Sequence, residues 1–276
     1  MLTCTTTNAT QTHSLTDITL RLRAAGCVYA EEEARLLIAA GRAAELAAMV
    51  ERRIAGWPLE HILGWAEFCG HRIALEAGVF IPRRRTEFLA RQAVDMARPG
   101  AVVLDLCCGS GAVGVVLAAC VGRVKVLAAD IDPAATRCAR HNLAPWGGHV
   151  YEGDLYAPLP AALQGRVDIV VANAPYVPSK AIETLPREAR IHEPRLALDG
   201  GPDGHHVQRR VAAEAWRWLA PGGPLLMETG ERQAAQTADI FSRNGLLSRT
   251  ARSEDWDATV VIGTKPPARA SVRTAS

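Results

Sequence analysis

From Ala101 onward the chain alternates short apolar runs with helical patterns, and this alternation restricts the fold more than any other feature. Segments 102–106, 124–129, 149–152, 168–172 and 224–228 read as strands bounded by turn residues. Segments 112–120, 133–142, 207–219 and 233–243 read as helices between them. Strand and helix in strict alternation imply right-handed crossovers, and hence a mostly parallel, doubly wound α/β sheet. Two more strands, 246–249 and 258–263, close the pattern with only a short, helix-free connection, which predicts antiparallel pairing. The expected sheet is seven-stranded and mostly parallel, with its last strand antiparallel.

Ahead of this lies a different pattern. Segments 15–25, 30–41 and 43–55 read as helices, the second with Ala34, Leu37, Ile38 and Ala40 as its apolar stripe behind Glu31, Glu32 and Glu33. Two strand-like pieces, 66–69 and 71–75, flank Gly70 and predict a hairpin. The domains expected are a disordered N-terminus over 1–13 and a small helical domain with its hairpin over 14–75. A linker over 76–98, a larger α/β domain over 99–265 and a disordered tail over 266–276 follow.

Composition excludes several classes. A net charge of +2 leaves no electrostatic footprint for nucleic acid. No apolar run reaches the roughly eighteen residues that cross a bilayer, and residues 1–13 lack the basic and apolar regions of a signal peptide. Seven scattered cysteines without a CxxC pair suit a reducing cytosol rather than a disulfide framework or a zinc site. A cytoplasmic monomer without a metal is expected.

The stretch Leu104-Asp105-Leu106-Cys107-Cys108-Gly109-Ser110-Gly111 joins the first strand of the alternating region to its helix. Glycines there let backbone approach a ligand closely, and the helix start offers unpaired N–H groups. The second strand ends at Asp130, where doubly wound folds place a carboxylate for ribose hydroxyls, with Asp132 as a rival. A nicotinamide dinucleotide is the obvious competitor. The carboxylate of Asp105 would repel a pyrophosphate, yet it suits the cationic amino and sulfonium groups of S-adenosylmethionine. Gly153-Asp154-Leu155, after the third strand, is placed to frame the adenine.

The run Val170-Val171-Ala172-Asn173-Ala174-Pro175-Tyr176 ends a strand in a turn at the carboxyl edge of the sheet, where ligands bind in open α/β folds. Asn173 offers a side-chain carbonyl, and residue 174 a backbone carbonyl that Pro175 biases toward an extended direction. Tyr176 adds an aromatic face. Together they suit a planar nitrogen whose two hydrogens must be held while a methyl group is transferred to it. None of the four is a strong base. Positioning for in-line displacement supplies the acceleration.

Asp105 to Gly114, Asp130, Asn173 to Tyr176 and Glu193-Pro194-Arg195-Leu196-Ala197-Leu198-Asp199-Gly200-Gly201-Pro202-Asp203-Gly204 resemble the motifs of HemK/PrmC-type protein-(glutamine-N5) methyltransferases. Pro58 to Gly64 and Ile81 to Glu87 resemble that family's interdomain motifs. The resemblance implies an S-adenosylmethionine enzyme of class I fold that methylates the glutamine of a Gly-Gly-Gln loop in a peptide-chain release factor, a protein partner. It carries cofactor contact onto Cys107, Cys108, Gly109, Ser110, Gly111, Asp130, Leu155 and Asn173, beside Asp105 and Asp154. Catalysis and substrate contact fall on Asn173, Ala174, Pro175 and Tyr176. Two departures stand out: Ala174 where the family has proline, and Arg84 and Arg85 where it has proline and glutamate. Glu193 and Asp199 are expected to order the wall of the site, and Glu228 to play a structural part at a strand end.

Two other functions compete. An amino methyltransferase acting on another protein or on adenine N6 in nucleic acid shares the Asn-X-Pro-Tyr turn, though the near-neutral charge disfavours nucleic acid. A non-catalytic S-adenosylmethionine-binding protein would keep the cofactor loop and need no intact Asn173.

Overall fold

The computed structural model describes residues 14–41 and 43–268. The expected disorder of 1–13 lies outside the described residues, as does all of the expected tail beyond residue 268; residues 265–268 carry no regular element. The chain divides into two compact units, one ending at Leu63 and the other beginning at Gly64.

The first unit holds helices α1 (Leu15–Ala24), α2 (Ala30–Ala40), α3 (Ala43–Ile54) and α4 (Leu59–Leu63). Ile18, Leu22, Leu37 and Val50 are fully buried in its core. The buried stripe of α2 is Ala30, Glu33, Ala34 and Leu37, so Ile38 and Ala40 of the expected stripe lie outside it and are exposed. Glu33 enters the stripe because Arg53 of α3 neutralises it, with Nε donating to Oε2 at 2.6 Å. A buried carboxylate with an arginine fork beside it passes for a core position.

The second unit opens with an antiparallel hairpin, β1 (Trp65–Phe68) and β2 (His71–Ala74). The hairpin therefore belongs with the α/β unit, not with the helices before it. Segment 76–98 is also more than a linker, because it contains helix α5 (Thr86–Met96) with Leu89, Ala90 and Ala93 fully buried against the sheet.

Seven strands form the main sheet: β3 (Val102–Leu106), β4 (Lys125–Asp130), β5 (His149–Glu152), β6 (Ile169–Ala172), β7 (Pro224–Thr229), β8 (Leu247–Ser253) and β9 (Ala258–Thr264). Their order is β5-β4-β3-β6-β7-β9-β8, parallel throughout except where β9 pairs antiparallel with β7 and β8. The expected class is the observed one. β6 and β7 are buried along their whole length, as central parallel strands covered on both faces must be. Helices α6 (Ala112–Cys120) and α7 (Pro133–Leu143) cover one face with α5. Asp132 caps α7 through a 2.8 Å bond from the Ala134 N–H, with Pro133 next in line. A one-and-a-half-turn helix, α8 (Arg187–His192), follows β6. The other face carries α9 (His206–Trp218) and α10 (Ala234–Arg243), where Tyr156 stacks on Trp218 at 5.6 Å between ring centroids.

The chain winds from β3 outward to β5, then returns to β6 on the other side of β3. The carboxyl ends of β3, β4 and β6 therefore meet at a topological switch point, where a crevice opens. Among the described residues no helix is long and apolar enough to cross a membrane.

Candidate active site

Leu106 ends β3, and the chain turns at once: Cys107 (φ 53°), Gly109 (φ 54°) and Gly111 (φ 79°) all take left-handed backbone. A Cβ at Gly109 would meet no protein atom, so that glycine leaves open space on the ligand side. A Cβ at Gly111 would press on Ala139 at 3.2 Å, so that glycine serves the packing of α6 on α7. The loop is tied to the end of β4 by the Gly109 N–H, which donates to Asp130 Oδ2 at 2.9 Å. Asn142 of α7 secures it from behind, donating to the Ser110 carbonyl and exchanging two bonds with Ala74 of the hairpin.

A cavity of about 260 Å³ lies over this loop. Of the residues expected to contact the cofactor, Cys107, Gly109, Asp130, Asp154, Leu155 and Asn173 line it. Asp132, the rival to Asp130, reaches the rim but spends one carboxylate oxygen capping α7. Below, a small pocket of about 40 Å³ is lined by Asp105, Cys108, Ser110 and again Asn173. Only Gly111 of the expected cofactor residues lines neither.

The charges of the two spaces point to the kind of ligand. Asp130, Asp132, Asp154 and Asp199 face Arg210 as the lone arginine or lysine on the larger cavity, and Arg210 is already paired with Asp154 at 2.6 Å. An anionic pyrophosphate would be repelled here, and a cationic ligand drawn in. Asp105 is buried, and its Oδ2 accepts the Gly114 N–H at 3.1 Å. Burial raises its pKa to about 7; the Gly114 N–H opposes the rise and the charge of Asp130 adds to it. Burial likewise pushes the thiols of Cys107 and Cys108 upward, which keeps them neutral packing groups.

β6 delivers the turn. Asn173 Nδ2 donates to Thr86 Oγ1 at 3.2 Å, where Thr86 is buried at the first turn of α5. With the amino end so occupied, Oδ1 is the end left for a ligand. Ala174 is fully buried and Tyr176 half-buried. Beyond the turn opens a second cavity, about 520 Å³, lined by Asn173, Ala174, Pro175 and Tyr176 with Phe80, Arg84 and Trp256 among its other walls. Asn173 and Pro175 belong to both large cavities. Asn173 and Pro175 thus stand on the partition between the two spaces, with Ala174 and Tyr176 on the side of the second.

The segment 193–204 clamps the turn in place. Val177 N–H donates to the Leu198 carbonyl at 3.0 Å, and Gly200 N–H to the Val177 carbonyl at 2.8 Å. A Cβ on Gly200 would sit 2.8 Å from the Pro175 carbonyl, and one on Gly204 would collide with the Tyr176 carbonyl. Asp199 staples the segment, accepting from Ser179 Oγ at 2.6 Å, the Gly201 N–H at 3.0 Å and Arg195 Nε at 3.1 Å; the first two bonds hold its carboxyl below the usual carboxylate range. Glu193 takes Arg83 at 2.5 Å. Both acids order the wall, as expected.

Sequence reasoning missed Thr86, Phe80, Arg210 and the contacts of Glu228. Glu228 Oε1 accepts from the Tyr176 hydroxyl at 3.1 Å and from Arg85 Nε at 3.3 Å. Thr86 lies inside the quoted 81–87 motif, so its position was in view though its partner was not. The two arginines that depart from the family pattern differ in fate: Arg85 is paired, while Arg84 is exposed on the wall of the larger cavity.

Comparison with known proteins agrees with this geometry. Residues 73–201 match the family described as Methyltransferase small domain. The release factor glutamine methyltransferase of Geobacter sulfurreducens is 40% identical over 206 residues, covering 73% of this chain and 72% of that protein. A 4-amino-L-phenylalanine/4-methylamino-L-phenylalanine methyltransferase of Streptomyces pristinaespiralis is 39% identical over 209 residues, 73% of this chain and 71% of that one. Among solved structures, a methyltransferase from Pyrococcus furiosus superposes with a TM-score of 0.55 over 80% of this chain and 98% of its own, at 15% identity, a likeness of fold.

Proposed function

Because the chain belongs to the family of release factor glutamine methyltransferases, we propose that it methylates the side-chain nitrogen (N5) of a glutamine in the Gly-Gly-Gln loop of a peptide-chain release factor. It is a methyltransferase that uses S-adenosylmethionine as methyl donor. The residues present fit that donor: with Asp154 paired to Arg210 and Asp199 to Arg195, the Asp130 and Asp132 carboxylates on the cavity wall suit a cation, and Asp130 stands at the strand end that meets a ribose. Asp105 lies under the loop, where an amino group would find it. The bound donor supplies an electrophilic methyl group on a sulfonium.

The chain's own residues do the rest. A carboxamide nitrogen is a weak nucleophile because its lone pair is delocalised into the carbonyl. Asn173 Oδ1 and the Ala174 carbonyl accept its two hydrogens, which fixes the nitrogen on the partition between cavities with its lone pair turned toward the donor side. Pro175 keeps the Ala174 carbonyl aimed. Tyr176 closes the wall with its hydroxyl engaged by Glu228; burial and that carboxylate raise its pKa, so the phenol stays protonated and takes no part as a base. Acceleration comes from placing the nitrogen in line. Bonding to the methyl carbon costs the nitrogen one of its two protons, which is released past the accepting carbonyls to solvent, while the sulfur keeps the electron pair of the broken bond.

The observation that carries this reading is the position of Asn173, anchored by Thr86 and lining both large cavities. We place the reaction in the cytoplasm, with the enzyme as a monomer, the helical unit helping to hold the protein substrate, and no nucleic acid involved. The test is methyl transfer from labelled S-adenosylmethionine to purified release factor, with the labelled residue mapped by mass spectrometry. Label on the Gly-Gly-Gln glutamine is the expected result. Label appearing instead on free 4-amino-L-phenylalanine, supplied in parallel because of the second relative, would transfer the reading to arylamines.

A further inference from the structure

Glu228 is a carboxylate in an unusual place: 1% exposed, at the end of a strand buried along its length, with Oε2 lacking any hydrogen-bond partner among the described residues. A buried charge persists only where its surroundings compensate it. Two groups do so through Oε1, the Tyr176 hydroxyl at 3.1 Å and Arg85 Nε at 3.3 Å. Arg85 also lies over the Tyr176 ring, 5.9 Å from its centroid, so the three side chains close a triangle. The Tyr176 backbone is held separately, its carbonyl accepting Gln233 Nε2 at 2.9 Å.

A carboxylate accepts hydrogen bonds and never donates. Tyr176 must therefore point its proton at Glu228, which sets the rotation of the hydroxyl and the tilt of the ring on the substrate cavity wall. We infer that Glu228 is a positioning residue for methyl transfer, acting through Tyr176, and that Arg85 is the counter-charge that compensates its burial. The inference rests on the function proposed above and deepens it. It also gives a role to Arg85, which pairs with Glu228 on the wall of the substrate cavity. The neutral phenol is consistent with the arrangement, since burial first and the carboxylate beside it second oppose ionisation, while Arg85 and Arg83 favour it.

The experiment is a double-mutant cycle on kcat and KM for methyl transfer to release factor, using Glu228→Gln, Tyr176→Phe and the pair. Glu228→Gln keeps the shape and an acceptor, so cofactor affinity is expected to hold as the control for folding. Losing a charged hydrogen bond at this site should lower kcat about tenfold while KM moves less. In the Tyr176→Phe background the same substitution should change kcat little, because the group it acts through is gone. Equal losses in both backgrounds would overturn the inference in favour of a merely structural carboxylate. A wild-type enzyme inactive on release factor would sink the proposed substrate instead, and with it the inference as stated.

Discussion

Asp105 ties protonation to two outcomes at once. Its carboxyl is raised from 3.8 to about 7 in the folded chain. Between those values the folded protein binds a proton that the unfolded chain has released, so this group's contribution falls as pH rises through that window. The slope is about 1.4 kcal/mol per pH unit, an upper value for one group. Asp105→Asn should lose that slope. Melting temperatures of the two proteins should converge toward pH 4 and separate toward pH 7, with the variant the more stable; parallel curves would count against the raised carboxyl. The same residue should make wild-type cofactor affinity strengthen with rising pH, as its charge becomes available to a cation, and titration calorimetry on both proteins would show it. Asn173 is read by a different pair of numbers. Asn173→Ala should cut turnover about a hundredfold or more, while cofactor affinity shifts far less; an idle cofactor binder would have no turnover to lose.

At the scale of elements, the segment 193–204 is a clamp on the turn that follows β6. Two glycines permit the approach, and Asp199 fastens it through three bonds. Gly204→Ala puts a methyl group against the Tyr176 carbonyl at a positive φ, so backbone strain and displacement act together. Activity should fall more than tenfold with far-UV circular dichroism unchanged, because the strain is local. Gly109→Ala is the informative contrast: it has the same sign of φ but no protein atom in the way. It should cost about 1 kcal/mol of stability, with its larger effect on cofactor affinity measured by calorimetry.

The whole molecule separates chemistry from the helical unit. Every residue lining the three cavities of the site lies at or beyond Phe68, inside the unit that starts at Gly64. A fragment from Gly64 onward should fold, by thermal melting, and bind S-adenosylmethionine with the full-length affinity. Its KM for release factor should rise if the helices hold that substrate; an unchanged KM would remove them from substrate binding.

The order and type of the elements were legible because periodicity is local: Val102 to Leu106 and Ile169 to Ala172 announce buried strands by composition alone. Most of the cofactor loop and the whole Asn173 to Tyr176 turn were legible too, since both lie at strand ends where the topology forces a crevice. Segment 76–98 was misjudged as linker, and Ile38 as buried, because helix faces are decided by what packs on them. Likewise, no local pattern shows that Arg83 meets Glu193 across 110 residues, or that Arg85 meets Glu228 across 143. The sequence by itself determined the sheet, its switch point and the groups on offer there. Only the tertiary structure decided which charges neutralise one another, because pairing depends on distance in space and distance in space is set by the packed core.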